Sequence, residues 1–262
     1  MKKMLFAACA FAFSLGAAEV CLELNNPADW KNSKIVKPGN ECTVFYSVPQ
    51  VSAEAFPVAK DKTYTISGEF RCTDATKTDA KLLLGFCPLT ADGKIINAGN
   101  VMVANAQLGE LAEAVAAGAT QVKVKNIASW KINSTIFRLA FNAQADRSDL
   151  PNYTLSPNLI PGDLAADANG VVTLTFKSPL TEAYPAGTKV RLHRAGDIYI
   201  FVGLQNNPQK LTAAWQKFSG RISFKGGPGF RVWYPGTVMA YAAILPLAAG
   251  KVEVRDFQVT EE

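Results

Sequence analysis

Residues 62–100 carry the pattern that most narrows what this chain can fold into. In KTYTISGEFR, Tyr64, Ile66, Gly68 and Phe70 alternate with Thr65, Ser67, Glu69 and Arg71, so one face is apolar and the other polar. Successive side chains of an extended strand point to opposite faces, and a period of two marks a strand buried on one side. A polar turn over 73–79 leads to a second strand over 81–89. The Asp92-Gly93 step makes a further tight turn, because Gly takes the positive φ such turns require. With the first turn centred near Thr76, the two strands pair as a hairpin in which Cys72 faces residue 81 and Cys87 faces residue 66.

Further strands are expected over 20–24, 42–48, 101–104, 196–203, 215–224, 238–245 and 252–260, divided by Gly- and Pro-rich turns. In GDIYIFVG, Ile198, Ile200 and Val202 share one face, with Tyr199 and Phe201 on the other. Residues 108–117, rich in Ala, Leu and Glu, have the propensity for one or two helical turns, stopped by Gly118. Many short strands with turn signals between them specify an all-β fold, an antiparallel β-sandwich or jelly roll.

A composition change near residue 114 opens an inserted small β subdomain over 114–195, with strands at 120–125, 136–142, 171–176 and 189–193. The stretch 143–169, dense in Pro, Asp and Asn, reads as loop. AGATQVKV at 117–124 and SPLTEAYPAGTKV at 178–190 resemble small β modules inserted in exported and phage-tail-like proteins. Those words specify turns rather than chemistry. The sandwich is then built from 19–113 and 196–262.

Residues 1–18 read as a secretory signal peptide: Lys2 and Lys3, an apolar run over 4–17, and the small-x-small site Gly16-Ala17-Ala18. That run is too short to span a bilayer and no later segment approaches such a length. Cys9 lies inside the run and Cys21 lacks a small residue before it, against lipidation. The expectation is an exported protein, secreted, periplasmic or at the cell surface, with no membrane insertion. Lys and Arg number 27 against 22 Asp and Glu, a charge of +5. Without Lys2 and Lys3 the excess is +3 (25 against 22), gathered in no basic stripe, which argues against a nucleic-acid partner.

Cys21, Cys42, Cys72 and Cys87 remain after cleavage, an even number in an exported chain. In the expected hairpin Cys72 and Cys87 are offset by five or six residues at about 3.3 Å each, beyond bridging distance. Cys21–Cys42 is the better pair, and four buried free thiols the competing account. None of these spacings suits a metal site.

The single histidine, His193, ends an alternating strand beside Arg191 and Arg194 and reads as a structural or solvent-facing residue rather than a base. There is no G-x-S-x-G, H-E-x-x-H or P-loop. Glycoside hydrolysis needs only two carboxyl groups about 5–10 Å apart, but no clustered acid motif lies on any expected strand, so no catalytic residue is assigned and no enzyme is expected. In FNAQADRSDLPN, Asn142, Asp146, Asp149 and Asn152 offer oxygen ligands for a structural calcium ion. The same residues are ordinary turn formers. No other cofactor is indicated.

The succession YTISGEFR, LLLGFCPLTADGKII, WQKFSGRI, VWYPGT and VEVRDFQVTEE resembles the cellulose-type carbohydrate-binding modules of the galactose-binding-like superfamily. Tyr64, Ser67 and Phe70 match the opening strand of such modules, and Val252, Val254, Asp256 and Val259 the closing one. The resemblance covers roughly 19–105 and 196–262, and its motifs are core and turn positions. It departs from the family in the insertion and in carrying one acid, Asp256, where two adjacent ones are common.

The resemblance implies a jelly-roll face that binds a polysaccharide or glycan without catalysis. Sugar rings stack on aromatic faces and pair their hydroxyls with planar polar groups. Glu69, Arg71, Tyr199 and Arg221 alternate away from the apolar faces, and Trp233 and Tyr234 lie in a Gly- and Pro-rich loop; these six form the expected ligand-binding set. The competing accounts are a cross-face ion pair for Glu69 and Arg71 and core packing for Trp233. Core packing is also expected of Trp215 and Trp130, while Trp30 has no assigned place. Alternative functions are a structural or adhesive surface protein, or an accessory part of a polysaccharide-degrading system.

Overall fold

The computed structural model describes residues 18–31, 43–203 and 208–262. The expected leader, apart from Ala18, lies outside the described residues, as does Cys42. The first strands are β1 (Glu19–Glu23), β2 (Thr43–Tyr46), β3 (Gln50–Val51), β4 (Phe56–Pro57), β5 (Thr63–Arg71) and β6 (Lys81–Leu89). A single helical turn, α1 (Ala98–Val101), precedes β7 (Val103–Leu111), β8 (Gln121–Lys125), β9 (Phe137–Phe141), β10 (Val171–Thr175) and β11 (Lys189–Arg194). Then come β12 (Ile200–Val202), β13 (Gln209–Lys210), β14 (Gln216–Ser223), β15 (Phe230–Val232), β16 (Met239–Leu247) and β17 (Lys251–Glu261).

Two sheets face each other as an antiparallel β-sandwich. The first has the order β1–β17–β5–β14–β15, with β2 also on β17; β15 is parallel to β14, every other pairing antiparallel. The second runs β12–β6–β16–β3, with β13 on β6 and β4 on β16. Tyr64, Ile66 and Phe70 of β5 and Val252, Val254, Phe257 and Val259 of β17 meet Leu82, Leu84, Phe86, Ala240, Ala242 and Ile244 of the second sheet in one buried cluster. Burying each large apolar side chain contributes roughly 1.5–3 kcal/mol.

β5 is alternately buried and half-buried along its whole length, as its sequence requires. β17 would lose that alternation but for a bulge. Asp256, at φ 49°, shifts the register between Arg255 and Gln258, so Phe257 and Val259 return to the core face after Val252 and Val254. At one corner the sheets nearly touch. A Cβ on Gly220 of β14 would lie 2.5 Å from the backbone nitrogen of Gly203, just past β12.

The expected β5–β6 hairpin does not form. β5 pairs with β14 and β17, whereas β6 pairs with β12, β13 and β16, so the two strands lie in opposite sheets. Residues 72–80 carry the chain across the roughly 10 Å between packed sheets, and the apolar faces of β5 and β6 meet instead of lying side by side. Cys72 and Cys87 are buried free thiols and Cys21 is a half-buried one.

The third sheet has the order β10–β8–β7–β11–β9 and its own core, which includes Leu111, Val122, Val124, Trp130, Leu139, Phe141, Leu174, Val190 and Leu192. Its outer strands are joined by residues 154–160. Ser156 N donates to Leu139 O at 2.8 Å and Leu159 N to Phe137 O at 2.8 Å on the β9 side. On the β10 side Ile160 N donates to Thr175 O at 2.9 Å and Lys177 N to Asn158 O at 2.8 Å. The sheet closes as a small barrel and leaves no unpaired edge there.

Residues 108–117 are not helical. Val103–Leu111 is strand β7, paired with β11 and β8, because burial of Leu111 beside Val124 outweighs local propensity. The barrel therefore begins at Val103, and residues 103–113, expected in the sandwich, belong to it.

Candidate functional site

Three strands of the first sheet present their polar side to the same face. β5 contributes Thr65, Ser67, Glu69 and Arg71; β17 contributes Glu253 and Arg255; β14 contributes Lys217, Ser219 and Arg221. Pairing sets the charges opposite one another. Glu253 stands across from Arg71, and Glu69 lies between Arg255 on one side and Lys217 on the other. Arg71 donates through Nε and Nη2 to Glu253 Oε2 at 2.7 and 2.6 Å. Arg255 donates likewise to Glu69 Oε2 at 2.7 and 2.5 Å. The expected pairing of Glu69 with Arg71 is thus replaced by two cross-strand pairs to β17, because opposed residues are closer than neighbours of one parity along a strand. Burial pushes the Glu253 carboxyl up, but bonds from Arg71 and Lys251 outweigh it and hold the group below its ordinary range.

Trp215, one residue before β14, continues the outward parity of Lys217, Ser219 and Arg221. Its indole centroid lies 4.5 Å from the Arg71 guanidinium carbon and 4.4 Å from that of Arg255. The ring is half-buried rather than packed in the core. The two guanidinium groups are held by their carboxylates and in turn hold the indole, so an aromatic surface with planar donors around it is already assembled.

Along β14, beginning at Lys217, a cleft of about 820 Å³ is lined by Lys217, Phe218, Ser219, Arg221, Gly229 and Phe230, among others. Arg221 lies 4.5 Å from the Phe230 centroid and donates to Glu262 Oε2 at 2.6 Å. Its Nε is shut off from solvent and has no hydrogen-bond partner among the described residues.

The six residues expected to bind ligand are therefore divided. Glu69, Arg71 and Arg221 share this face. Tyr199 is on the far side of the sandwich, its ring 5.7 Å from that of Phe201, and alternates with Ile200 and Val202, which fill the core. Tyr234 packs against the core edge, and burial raises its phenol. Trp233 is 2% exposed, with its ring 5.1 Å from Phe86 and 5.9 Å from Tyr64. It is a core residue, because the chain just past β15 stays bonded to β14, Trp233 N donating to Ser223 O at 3.2 Å, and the ring enters the core between the sheets.

Trp30 and Trp130 are also buried, one in each core. Trp215, Arg255, Glu253 and Phe230 were missed as site residues. The parity of Trp215 with Lys217 and Arg221, against the inward Phe218 and Ile222, was the available signal for the first.

The residues offered for calcium bond to neighbours in their own turn and to Arg191 of β11. Asp146 accepts from Ser148 N and Oγ at 3.0 and 2.8 Å, and Asp149 accepts from Gln144 N, Asn152 Nδ2 and Arg191. Among the described residues no group of three or more His, Cys, Asp or Glu is placed to hold a metal ion. None of their helices is long and apolar enough to cross a membrane. Comparison of the chain with protein-family models, curated proteins and solved structures finds no match.

Proposed function

We propose that this chain is an exported, non-catalytic carbohydrate-binding protein whose ligand, a polysaccharide or glycan, lies on the outer face of the first sheet at Trp215. The observation that carries the reading is the half-buried indole with the Arg71 and Arg255 guanidinium carbons 4.5 and 4.4 Å from its centroid, and Glu69 and Glu253 paired to those arginines. A sugar ring has apolar C–H faces that stack on an indole and hydroxyls at its rim that pair with planar donors and carboxylates. The ion pairs hold these groups in place before ligand arrives, which lowers the ordering cost of binding.

The test is titration calorimetry and affinity electrophoresis against neutral and acidic polysaccharides, with wild type and Trp215→Ala. Saturable, sugar-competed binding is expected, weakened by roughly thirtyfold in the variant, the worth of a central aromatic contact, with little change in melting. Absence of sugar-competed binding, or full binding by Trp215→Ala, removes this reading and favours a structural or adhesive protein.

A further inference from the structure

Arg191 and His193 project from the outer side of β11, away from the barrel core filled by Val190 and Leu192, yet they are 1% and 0% exposed. The α1 turn, which lies between the last sandwich strand before the barrel and β7, covers His193 from one side, and the 142–152 turn covers Arg191 from the other. His193 Nδ1 lies 2.8 Å from the carbonyl oxygen of Gly99 in α1, and Arg191 Nε lies 3.1 Å from His193 Nε2. An arginine Nε–H only donates, so Nε2 is the acceptor and the ring's one proton sits on Nδ1, donated to Gly99. Arg191 also donates to Gln144 O at 3.0 Å and to Asp149 Oδ2 at 2.5 Å.

The charged groups that bear on the imidazole are Arg191 on its own strand and Asp149 on the turn. From α1 it meets the Gly99 carbonyl. Val103, opposite on β7, is apolar, and Arg138, opposite on β9, is turned to Asn158 Oδ1 at 2.6 Å.

The junction around this ring is polar. Asn152 N donates to Asn100 O at 2.8 Å, Asn100 Nδ2 to Asn152 O at 2.9 Å, and Tyr153 Oη to Ile95 O at 3.2 Å. Sandwich and barrel have separate cores, and the chain passes between them at 102–103 and 194–196, side by side. Polar contacts between separately cored units are the kind that open without unfolding either one.

We infer that His193 is an acid-operated latch: protonation of its ring releases the barrel from the sandwich while both cores stay folded. A second ring proton turns Nε2 from acceptor to donor, facing the Nε–H of Arg191, and places a second cation in a buried site where Asp149 is already shared. Burial, opposed by the Gly99 bond and reinforced by Arg191, holds the docked imidazole below its ordinary value. A lowered value in the docked state means that docking is complete above the free-histidine value of about 6.5 and weakens as pH falls from there toward the docked-state value.

The test is amide hydrogen exchange of the full chain at about pH 7.5 and about pH 5, on either side of the free-histidine value, corrected for intrinsic rates, with small-angle scattering alongside. At the lower pH the amide of Asn152, which donates across the junction to Asn100 O, is expected to lose protection by about tenfold for each pH unit below the free-histidine value, down to the docked-state value. The radius of gyration should rise, while the amides of Ile66, Ile244, Leu139 and Val190 stay protected. His193→Asn, whose amide donates to Gly99 and takes no charge, should remain docked at both values. Retained protection at pH 5, loss together with the core amides, or the same transition in the Asn variant would each overturn the latch. If the variant fails to fold, the wild-type exchange pattern alone decides.

Discussion

Arg194 N donates to Met102 O at 2.9 Å, so the two points where the chain crosses between sandwich and barrel are hydrogen-bonded neighbours. A segment whose ends touch can leave its host without stretching it. This relationship defines the insertion more sharply than composition does, since β7 is bound to β11 and β8 and to neither sandwich sheet.

Replacing residues 103–194 by a short Gly/Ser linker should therefore leave a folded sandwich, because adjacent surface ends tolerate deletion. Removing 114–195 should not. That cut leaves β7 attached without its partners, with Leu111 exposed, and should give an aggregating product. Size-exclusion profiles and thermal melts of both variants check the boundary; equal behaviour would show that β7 is no part of the barrel.

The Arg191–Asp149 pair has side chains 2% and 9% exposed, whereas Arg221 and Glu262 are 42% and 50% exposed. Asp149→Ala strands a buried guanidinium and should cost about 3–5 kcal/mol. Glu262→Ala should cost less than about 1 kcal/mol. At roughly 2–4 °C per kcal/mol for a chain of this size, the first lowers the melting temperature by on the order of 10 °C and the second leaves it nearly unchanged. Comparable losses would show that burial does not separate the two pairs.

Trp233→Ala should cost about 3–5 kcal/mol by emptying space between Tyr64 and Phe86. The fraction still folded should bind as wild type does, since the residue does not reach the Trp215 face. Denaturant melts and binding of one preparation measure both, and a stable variant with lost binding would return Trp233 to the ligand.

Glu110 accepts from Lys125 at 2.8 Å and from Lys189, and these bonds lower its pKa to about 2. The sign follows from a value depressed in the folded state: this bridge across β8, β7 and β11 is complete above the ordinary value of 4.5 and is lost as pH falls toward 2. Carboxyl chemical shifts of Glu110 should titrate near 2 in the wild type. They should move toward the ordinary value when Lys125 and Lys189 are both changed to Met; an unmoved titration would mean that the lysines do not hold the group.

Strand positions were legible wherever one face is buried. β5, β8 and β10 follow their alternation residue by residue, because a strand with one wet side needs the period-two pattern. β7 was partly hidden, since Ala, Leu and Glu speak for helix locally while its pairing is set by residues far along the chain. The polar face at Trp215 was half legible. Glu69, Arg71 and Arg221 were placed by parity, whereas Trp233 sat in a turn whose direction the local residues do not encode.

The sequence by itself determined that the chain is built of strands and, where polar and apolar residues alternate as in β5, β8 and β10, which residues face inward. Those properties reside in local periodicity and turn chemistry. Only the tertiary structure decided that β5 and β6 lie in opposite sheets, that residues 154–160 close the barrel, and that Trp215 rather than Trp233 meets the two arginines. Each of those depends on which strands become neighbours. That choice is made by apolar faces finding partners across the core, over sequence separations at which no local pattern carries information.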